Sequence, residues 1–358
     1  MTEEKRLQSN QSFPPRRKHL SVDEYVQGVI NGNRAIIAQA ITLVESNLPK
    51  HMEMAQNVLK QLIPYTGKSI RIGFTGVPGA GKSTLIESFG MMLCEQNHRV
   101  AVLAVDPTSS VSKGSILGDK TRMEQLSRHP DAYVRPSPSS GTLGGVTRKS
   151  RETLLICEAA GYDVIIVETV GVGQSEITVR SMVDFFLVIM LTGAGDELQG
   201  MKKGVIELAD AIFINKADGA NQQAALNAKV DYNRLLHFLQ PATVGWETKA
   251  FTVSALTGEG VPHIWDVIKK YKEVTSRTGV FEKRRKEQMI NWVHSMIEDQ
   301  LKARFYGSPL IKKSISEMEK FLVNGQTSPT LAVQQLFSIY DENGYGNKKS
   351  YSLKRGGN

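Results

Sequence analysis

The sequence predicts a doubly wound α/β fold with a mostly parallel sheet, flanked by helical N- and C-terminal extensions. Short apolar runs recur at Ile70–Thr75, Val100–Asp106, Asp163–Glu168, Asp184–Leu191, Ala211–Asn215 and Ala250–Ser254. Unbroken Val/Ile/Leu/Phe runs of this kind suit strands covered on both faces of a parallel sheet. Helical segments such as Ser83–Gln96 and Asn221–Leu239 separate most of them, as right-handed crossovers require. At the first run, a strand, a glycine-rich loop and a helix follow one another, and ligands of such sheets bind at the carboxyl ends of the strands.

With 358 residues the chain has room for one large domain with additions or for two domains. Its apolar content of 41% and charged content of 22% are ordinary for a soluble globular protein, and no apolar run is long enough to span a membrane. Residues 1–20 are basic and polar without the apolar core of a secretory signal. They read as a disordered leader; a transit peptide is the alternative, against which Glu3 and Glu4 argue. Cys94 and Cys157 fall inside predicted helices, form no CxxC and adjoin no His cluster. Neither a disulfide nor a zinc site is expected, and a reduced cytoplasmic setting fits. The net charge of +8 raises the question of nucleic acid. Much of the excess, however, lies in the tails, at Lys5, Arg6, Arg16, Arg17, Lys18, Lys348, Lys349, Lys354 and Arg355. No aromatics alternate with these bases as a single-strand platform needs, so neither nucleic acid nor membrane is expected as a partner.

Residues 21–66 form the predicted N-terminal extension. Ser21-Val22-Asp23-Glu24 has the form of a capping box, and Val26, Val29, Ile30, Ile37, Ile41 and Val44 then recur at helical spacing. A second helix covers about residues 50–63 and stops near Pro64. The α/β domain is expected over residues 67–278. A C-terminal arm over 279–340 begins with one helix whose Met289, Val293, Met296, Ile297, Leu301 and Phe305 make an apolar stripe. Shorter helices follow near 309–322 and 329–340. The stripe either packs on the domain or forms a dimer. Residues 341–358, rich in Gly, Asn and Lys, read as a disordered tail.

The strongest chemical signal is Gly76-Val77-Pro78-Gly79-Ala80-Gly81-Lys82-Ser83, a complete G-x-x-x-x-G-K-S between a strand and a helix. Its glycines let successive backbone N–H groups point at phosphate oxygens, and the helix that follows presents its positive end. Lys82 is expected on the β- and γ-phosphates, Ser83 on Mg²⁺ and Thr84 at the α-phosphate. The second signal is Asn215-Lys216-Ala217-Asp218, directly after a strand. Asp218 can accept from both N1–H and the exocyclic amine of guanine, whereas adenine would leave the carboxylate unpaired. Asn215 can bridge to N7 and the neighbouring loop, and the Lys216 stem can cover the ring. Ser254-Ala255-Leu256 follows the last strand, where a backbone N–H can meet guanine O6. These motifs together imply GTP and GDP as ligands.

Acidic partners for the metal should end neighbouring strands. Glu168 opens Glu168-Thr-Val-Gly171, where many GTPases have Asp; Asp106 opens Asp106-Pro-Thr-Ser-Ser; Asp119 lies in Gly114-Ser-Ile-Leu-Gly-Asp119-Lys-Thr-Arg-Met. Each could instead be a cap or turn acid, Asp119 most readily. Lys82, Asp106 and Glu168 are the candidate catalytic groups. Ras-like GTPases carry a water-orienting Gln directly after the glycine of DxxG, but Val172 stands there, with Gln174 offset from it. Slow unaided hydrolysis is therefore expected, with a partner supplying the missing part. The loop Thr192–Lys203, rich in glycine and charge and ending in Lys202 and Lys203, is either a solvated connection or a mobile element sensing nucleotide state.

Taken together, Gly76–Thr84, the Asp106 and Asp119 blocks, Glu168-Thr-Val-Gly-Val-Gly-Gln-Ser-Glu176 and Gly195-Asp-Glu-Leu-Gln-Gly-Met-Lys-Lys203 resemble the MeaB/ArgK family of metallochaperone-type G proteins. The similarity runs from about residue 20 to 340. It implies a SIMIBI-type P-loop GTPase that is homodimeric and guards adenosylcobalamin-dependent methylmalonyl-CoA mutase, or a related cobalamin-dependent acyl-CoA mutase, by promoting cofactor loading and preventing inactivation. It further implies that Ser83, Asp106, Asp119 and Glu168 gather around Mg²⁺, and that residues 192–203, with Lys202 and Lys203, form a third switch. The alternatives are a P-loop kinase linked to amino-acid transport and a GTPase for another metallocofactor enzyme, such as a nickel-inserting one. The chain has no evident acceptor-substrate motif, and its seven histidines are scattered from His19 to His294 rather than gathered in a metal store.

Overall fold

In the computed structural model the described residues are 20–105, 123–135, 143–169, 175–192 and 203–342, with the side chains of 143–147, 175 and 203 left undescribed. The central sheet has seven strands: β1 (Ile70–Gly76), β2 (Val100–Val105), β3 (Ala132–Arg135), β4 (Val164–Thr169), β5 (Phe185–Met190), β6 (Ala211–Ile214) and β7 (Lys249–Thr252). Their order is β3-β2-β4-β1-β5-β6-β7, and every pairing is parallel. The sheet is thus fully rather than mostly parallel. β2, β4, β5 and β6 are buried at every position, the reason they read as unbroken apolar runs.

One strand escapes the sequence reading. β3 is a four-residue edge strand that ends in Arg135 and pairs only with β2, so it has neither the length nor the apolar run of its neighbours. Strand ends elsewhere differ from expectation by one or two residues.

The N-terminal extension is three helices, α1 (Val22–Ile30), α2 (Arg34–Glu45) and α3 (Pro49–Leu62). The capping box is formed as predicted: the Ser21 amide donates to Glu24 Oε2 at 2.7 Å and the Glu24 amide to Ser21 Oγ at 3.2 Å. The stripe from Val26 to Val44, which reads as one continuous helix, is broken at Asn31–Asn33. Gly32 takes φ +70, and the Asn33 side chain accepts from the amides of Ala35 and Ile36, at 3.0 and 3.3 Å, to start α2. The two helices then pack tightly, because a Cβ on Gly28 would lie 2.2 Å from Ile36 Cδ1.

The crossover helices between β1 and the end of β7 are α4 (Lys82–Glu95), α5 (Glu124–Arg128), α6 (Leu143–Ala159), α7 (Ser175–Arg180), α8 (Lys203–Glu207) and α9 (Gln222–His237), and α10 (Val261–Arg277) follows β7. Cys94 on α4 and Cys157 on α6 are buried free thiols, pushed up by burial to about 11 and about 12, which makes them unreactive. The N-terminal extension packs on α6, where Gln56 Nε2 on α3 donates to Glu152 Oε1 at 2.9 Å.

α6 also fixes the start of β1. Buried Glu158 accepts from Arg71 Nε at 2.9 Å, from the Gly67 amide at 2.8 Å and from the Ser69 hydroxyl. Burial pushes its carboxyl up, but the Arg71 guanidinium and the two other donors outweigh burial and hold it below its ordinary 4.5. A carboxyl lowered on folding stabilises the fold above its unfolded pKa, and the contribution fades as pH falls through the folded value. Glu158→Gln is expected to cost on the order of 3 kcal/mol at neutral pH. It should also flatten the acid dependence of stability, as read from urea midpoints between neutral pH and about pH 3.

The chain divides into two compact units, one ending at Phe281 and one beginning at Glu282. The second holds most of α11 (Val280–Gly307) together with α12 (Pro309–Val323) and α13 (Pro329–Tyr340). Within it, Phe305 stacks on Phe337 at 4.8 Å and meets Tyr340 at 5.1 Å. Of the rest of the α11 stripe, Met289, Val293, Ile297 and Leu301 are each 45–58% exposed, and Met296 is half-buried.

Candidate functional site

β1 lies where the sheet changes direction, between β4 and β5, and its carboxyl end runs straight into Gly76-Val77-Pro78-Gly79-Ala80-Gly81. This is the crevice position at which open α/β sheets bind ligands. Gly76 is required there by close approach, since a Cβ would fall 2.3 Å from the Ile189 carbonyl oxygen of β5. Gly81 is required twice over: its φ is +79, and a Cβ would meet Asn215 Nδ2 at 2.8 Å. α4 begins at Lys82, so its first amides and its positive end face the loop. Lys82 Nζ donates to the carbonyls of Gly76 at 2.9 Å and Val77 at 3.3 Å, and lies across the loop it serves.

Ser83, one residue further, donates its hydroxyl to Glu168 Oε1 at 3.3 Å. Glu168 is 6% exposed and stands opposite Phe74 in the β1–β4 register. Beside it the hydroxyls of Thr169 and Thr75 are hydrogen-bonded at 2.8 Å, both fully buried. This hydroxyl pair ties the end of β4 to the residue before the loop, and two lone threonines in strands gave no sign of it. Asp106 and Asp119 lie outside the described residues, as do Val172, Gln174 and Lys202 and the Lys203 side chain. β2 is described as far as Val105, in register with Thr169.

The second part of the site follows β6. Asn215, 1% exposed, donates from Nδ2 to the Ala80 carbonyl at 2.7 Å and accepts the Ala255 amide on Oδ1 at 3.0 Å. One side chain thereby clasps the phosphate loop, its own loop and the segment Ser254-Ala255-Leu256. Lys216 takes φ +59, one of two non-glycine residues with positive φ among those described, a conformation that costs about 1–3 kcal/mol. Asp218 accepts the Ser254 hydroxyl on Oδ2 at 2.5 Å, and Ser254 Oγ accepts the Thr257 amide at 3.1 Å. Thr84 and Leu256 are exposed at the rim, Leu256 by 83%. Of the motifs predicted from sequence, the phosphate loop, Asn215–Asp218 and Ser254-Ala255 are thus brought together at the carboxyl ends of β1, β6 and β7. Asn221 was not singled out in sequence, where it reads only as the first residue of the helical segment Asn221–Leu239. Its Nδ2 donates to the Lys216 carbonyl at 2.7 Å, and its Oδ1 accepts the Thr192 hydroxyl at 2.7 Å.

A parallel sheet whose first strand feeds a G-x-x-x-x-G-K-S loop, clasped to an N-K-x-D loop after its sixth, defines a P-loop GTPase. The family model described as "Methylmalonyl Co-A mutase-associated GTPase MeaB" matches residues 37–309, and the chain belongs to that family. A probable GTPase of Mycobacterium tuberculosis is 48% identical over 319 residues, covering 89% of this chain and 95% of the relative. GTPase ArgK of Escherichia coli is 44% identical, covering 87% of this chain and 95% of its own. A Mus musculus protein described as "Methylmalonic aciduria type A homolog, mitochondrial" is 43% identical, covering 89% of this chain and 79% of its own. Among solved structures, one described as an LAO/AO transport system kinase superposes with a TM-score of 0.73 at 36% identity, covering 89% of this chain and 97% of that one. No helix among the described residues is long and apolar enough to cross a membrane.

Proposed function

We propose that this GTPase is a Mg²⁺-dependent, homodimeric, cytoplasmic chaperone for adenosylcobalamin-dependent methylmalonyl-CoA mutase or a related cobalamin-dependent acyl-CoA mutase. It promotes cofactor loading and protects the mutase from inactivation. The observation that carries the nucleotide half of this reading is the Asn215 clasp, which sets a phosphate-binding loop and a guanine-reading loop side by side. The mutase half rests on the family description, whose match covers residues 37–309. The exposed apolar stripe on α11 supports a second copy of the chain as its cover.

In this reading the amides of Gly79–Ser83 cradle the phosphates, Lys82 turns from the Gly76 and Val77 carbonyls to the β- and γ-phosphates, and Asp218 reads the guanine edge. Ser83 and Glu168 offer a hydroxyl and a carboxylate 3.3 Å apart, hard oxygen donors that suit Mg²⁺ rather than a softer metal. By the family resemblance, Asp106 and Asp119 are the proposed remaining protein ligands of Mg²⁺, which when bound neutralises charge on the phosphate oxygens. Val172 has no side-chain group to hydrogen-bond an attacking water, so unaided hydrolysis is slow and a partner supplies the missing group.

The test is steady-state GTP hydrolysis with and without the host's cobalamin-dependent mutase. The isolated protein is expected to turn over well below the roughly 1–100 s⁻¹ typical of kinases, and the mutase to raise that rate. Charge-removing substitutions at Lys202 and Lys203 are expected to abolish the stimulation and spare the basal rate. An unstimulated wild type removes the client, and full stimulation of the double variant removes the switch lysines. The description of one related structure as a transport-system kinase favours a second reading, phosphoryl transfer to an acceptor. Recovery of the γ-phosphate on a small molecule rather than as free phosphate in the same assay would establish it.

A further inference from the structure

We infer that Asn221 is a positioning residue for base recognition, a strut that holds Lys216 in its left-handed conformation by bracing it against the end of β5. The inference rests on the reading of Asn215–Asp218 as the guanine loop. Lys216 has φ +59 without the freedom of a glycine, so something must hold it there. Its carbonyl accepts from Asn221 Nδ2 at 2.7 Å, and the other end of the same amide, Oδ1, accepts the Thr192 hydroxyl at 2.7 Å. The orientation of the amide is fixed by chemistry, since the Lys216 carbonyl is acceptor-only and must face the NH₂ group. Oδ1 is then left to face Thr192, whose hydroxyl supplies the proton.

Both anchors of the strut are firm. Asn221 ends the short 3₁₀ turn Gly219–Asn221 that follows Asp218, and its own amide donates to the Asp218 carbonyl at 3.0 Å. Thr192 lies two residues past β5, whose Met190 carbonyl accepts the Asn215 amide at 2.8 Å. Asn215 therefore fixes the buried side of the loop against the phosphate loop, and Asn221 fixes its exposed side against β5. Lys216 sits in the chain between the two contacts, and in the guanine-loop reading its stem covers the base. Asn221 touches no nucleotide in this scheme. It acts through Lys216.

The experiment is displacement of fluorescent GDP from the full-length protein by GDP and by ADP. Wild-type preference for GDP establishes the guanine loop whatever the variants do, and its absence sinks that reading independently of the strut. Asn221→Ala is expected to weaken GDP about tenfold and Thr192→Val, which keeps the shape and removes only the hydroxyl, about threefold. The thermal midpoint of the nucleotide-free proteins should stay at the wild-type value. In a Lys216→Gly background Asn221→Ala should cost less than in wild type, because glycine adopts positive φ unaided. Wild-type GDP affinity in either single variant overturns the strut. So do losses that simply multiply in the double variant, or a loss matched by a lowered midpoint.

Discussion

Lys82→Ala is expected to abolish measurable GTP hydrolysis and to weaken GTP by about tenfold to a hundredfold, with GDP losing less. Lys82 is the charged side chain that lies across the loop, donating to the Gly76 and Val77 carbonyls, and in the proposed role its ammonium turns to the β- and γ-phosphates. A charge-assisted hydrogen bond to a phosphate oxygen is worth about 1.5–3 kcal/mol. Removing it also leaves the charge that develops on the transferred phosphoryl group without its cation. The carbonyls that Lys82 contacts belong to Gly76 and Val77, both buried, so the thermal midpoint of the variant is read alongside to separate a loss of binding from a loss of fold. Single-turnover hydrolysis with parallel GTP and GDP titrations checks this ordering. Equal losses for the two nucleotides would place Lys82 away from the γ-phosphate.

Asp218→Asn is expected to weaken GTP and GDP by about a hundredfold or more and to improve binding of the xanthine nucleotides. A site built to accept from two donors on one base edge rejects a base lacking them strongly, because its own buried groups are left unpaired. Replacing one carboxylate oxygen by NH₂ inverts half of that pattern, which suits the carbonyl of xanthine. The Ser254 hydroxyl that donates to Asp218 Oδ2 can still donate to an amide oxygen, so the loop keeps its shape and the change is one of specificity. Competition among GDP, XDP and ADP measures it. A wild type that binds ATP as well as GTP would end the guanine assignment.

What was legible in the sequence is what local chemistry dictates. Gly81 must be glycine because its backbone is left-handed and Asn215 presses on it; Asn215 must be an amide because it donates to the Ala80 carbonyl and accepts the Ala255 amide. The apolar runs of β2, β4, β5 and β6 identify strands because the sheet buries both faces. β3 gives no such run, since an edge strand of four residues is half-covered and needs none. The break between α1 and α2 was hidden by periodicity. Both helices turn their apolar faces to one core, so Val26, Val29, Ile37 and Ile41 keep helical spacing across a turn. The Thr75–Thr169 and Thr192–Asn221 contacts join positions 94 and 29 residues apart. Such pairings are set by strand order, which composition and spacing do not encode.

Strand order also decides when, during synthesis, the nucleotide site can exist. β1 is translated early, yet its two neighbours in the sheet are β4 and β5, in registers that pair Ile70 with Val164 and Ile72 with Phe185. Until those strands leave the ribosome, the apolar face and open edges of β1 have no partner, and the nascent chain carries a sticky segment of the kind holdase chaperones cover. The guanine clasp closes later still, because Asn215 accepts the amide of Ala255. A product truncated before residue 255 is therefore expected to lack the contact that holds Asn215 on this side, and to bind GTP less well than the full chain.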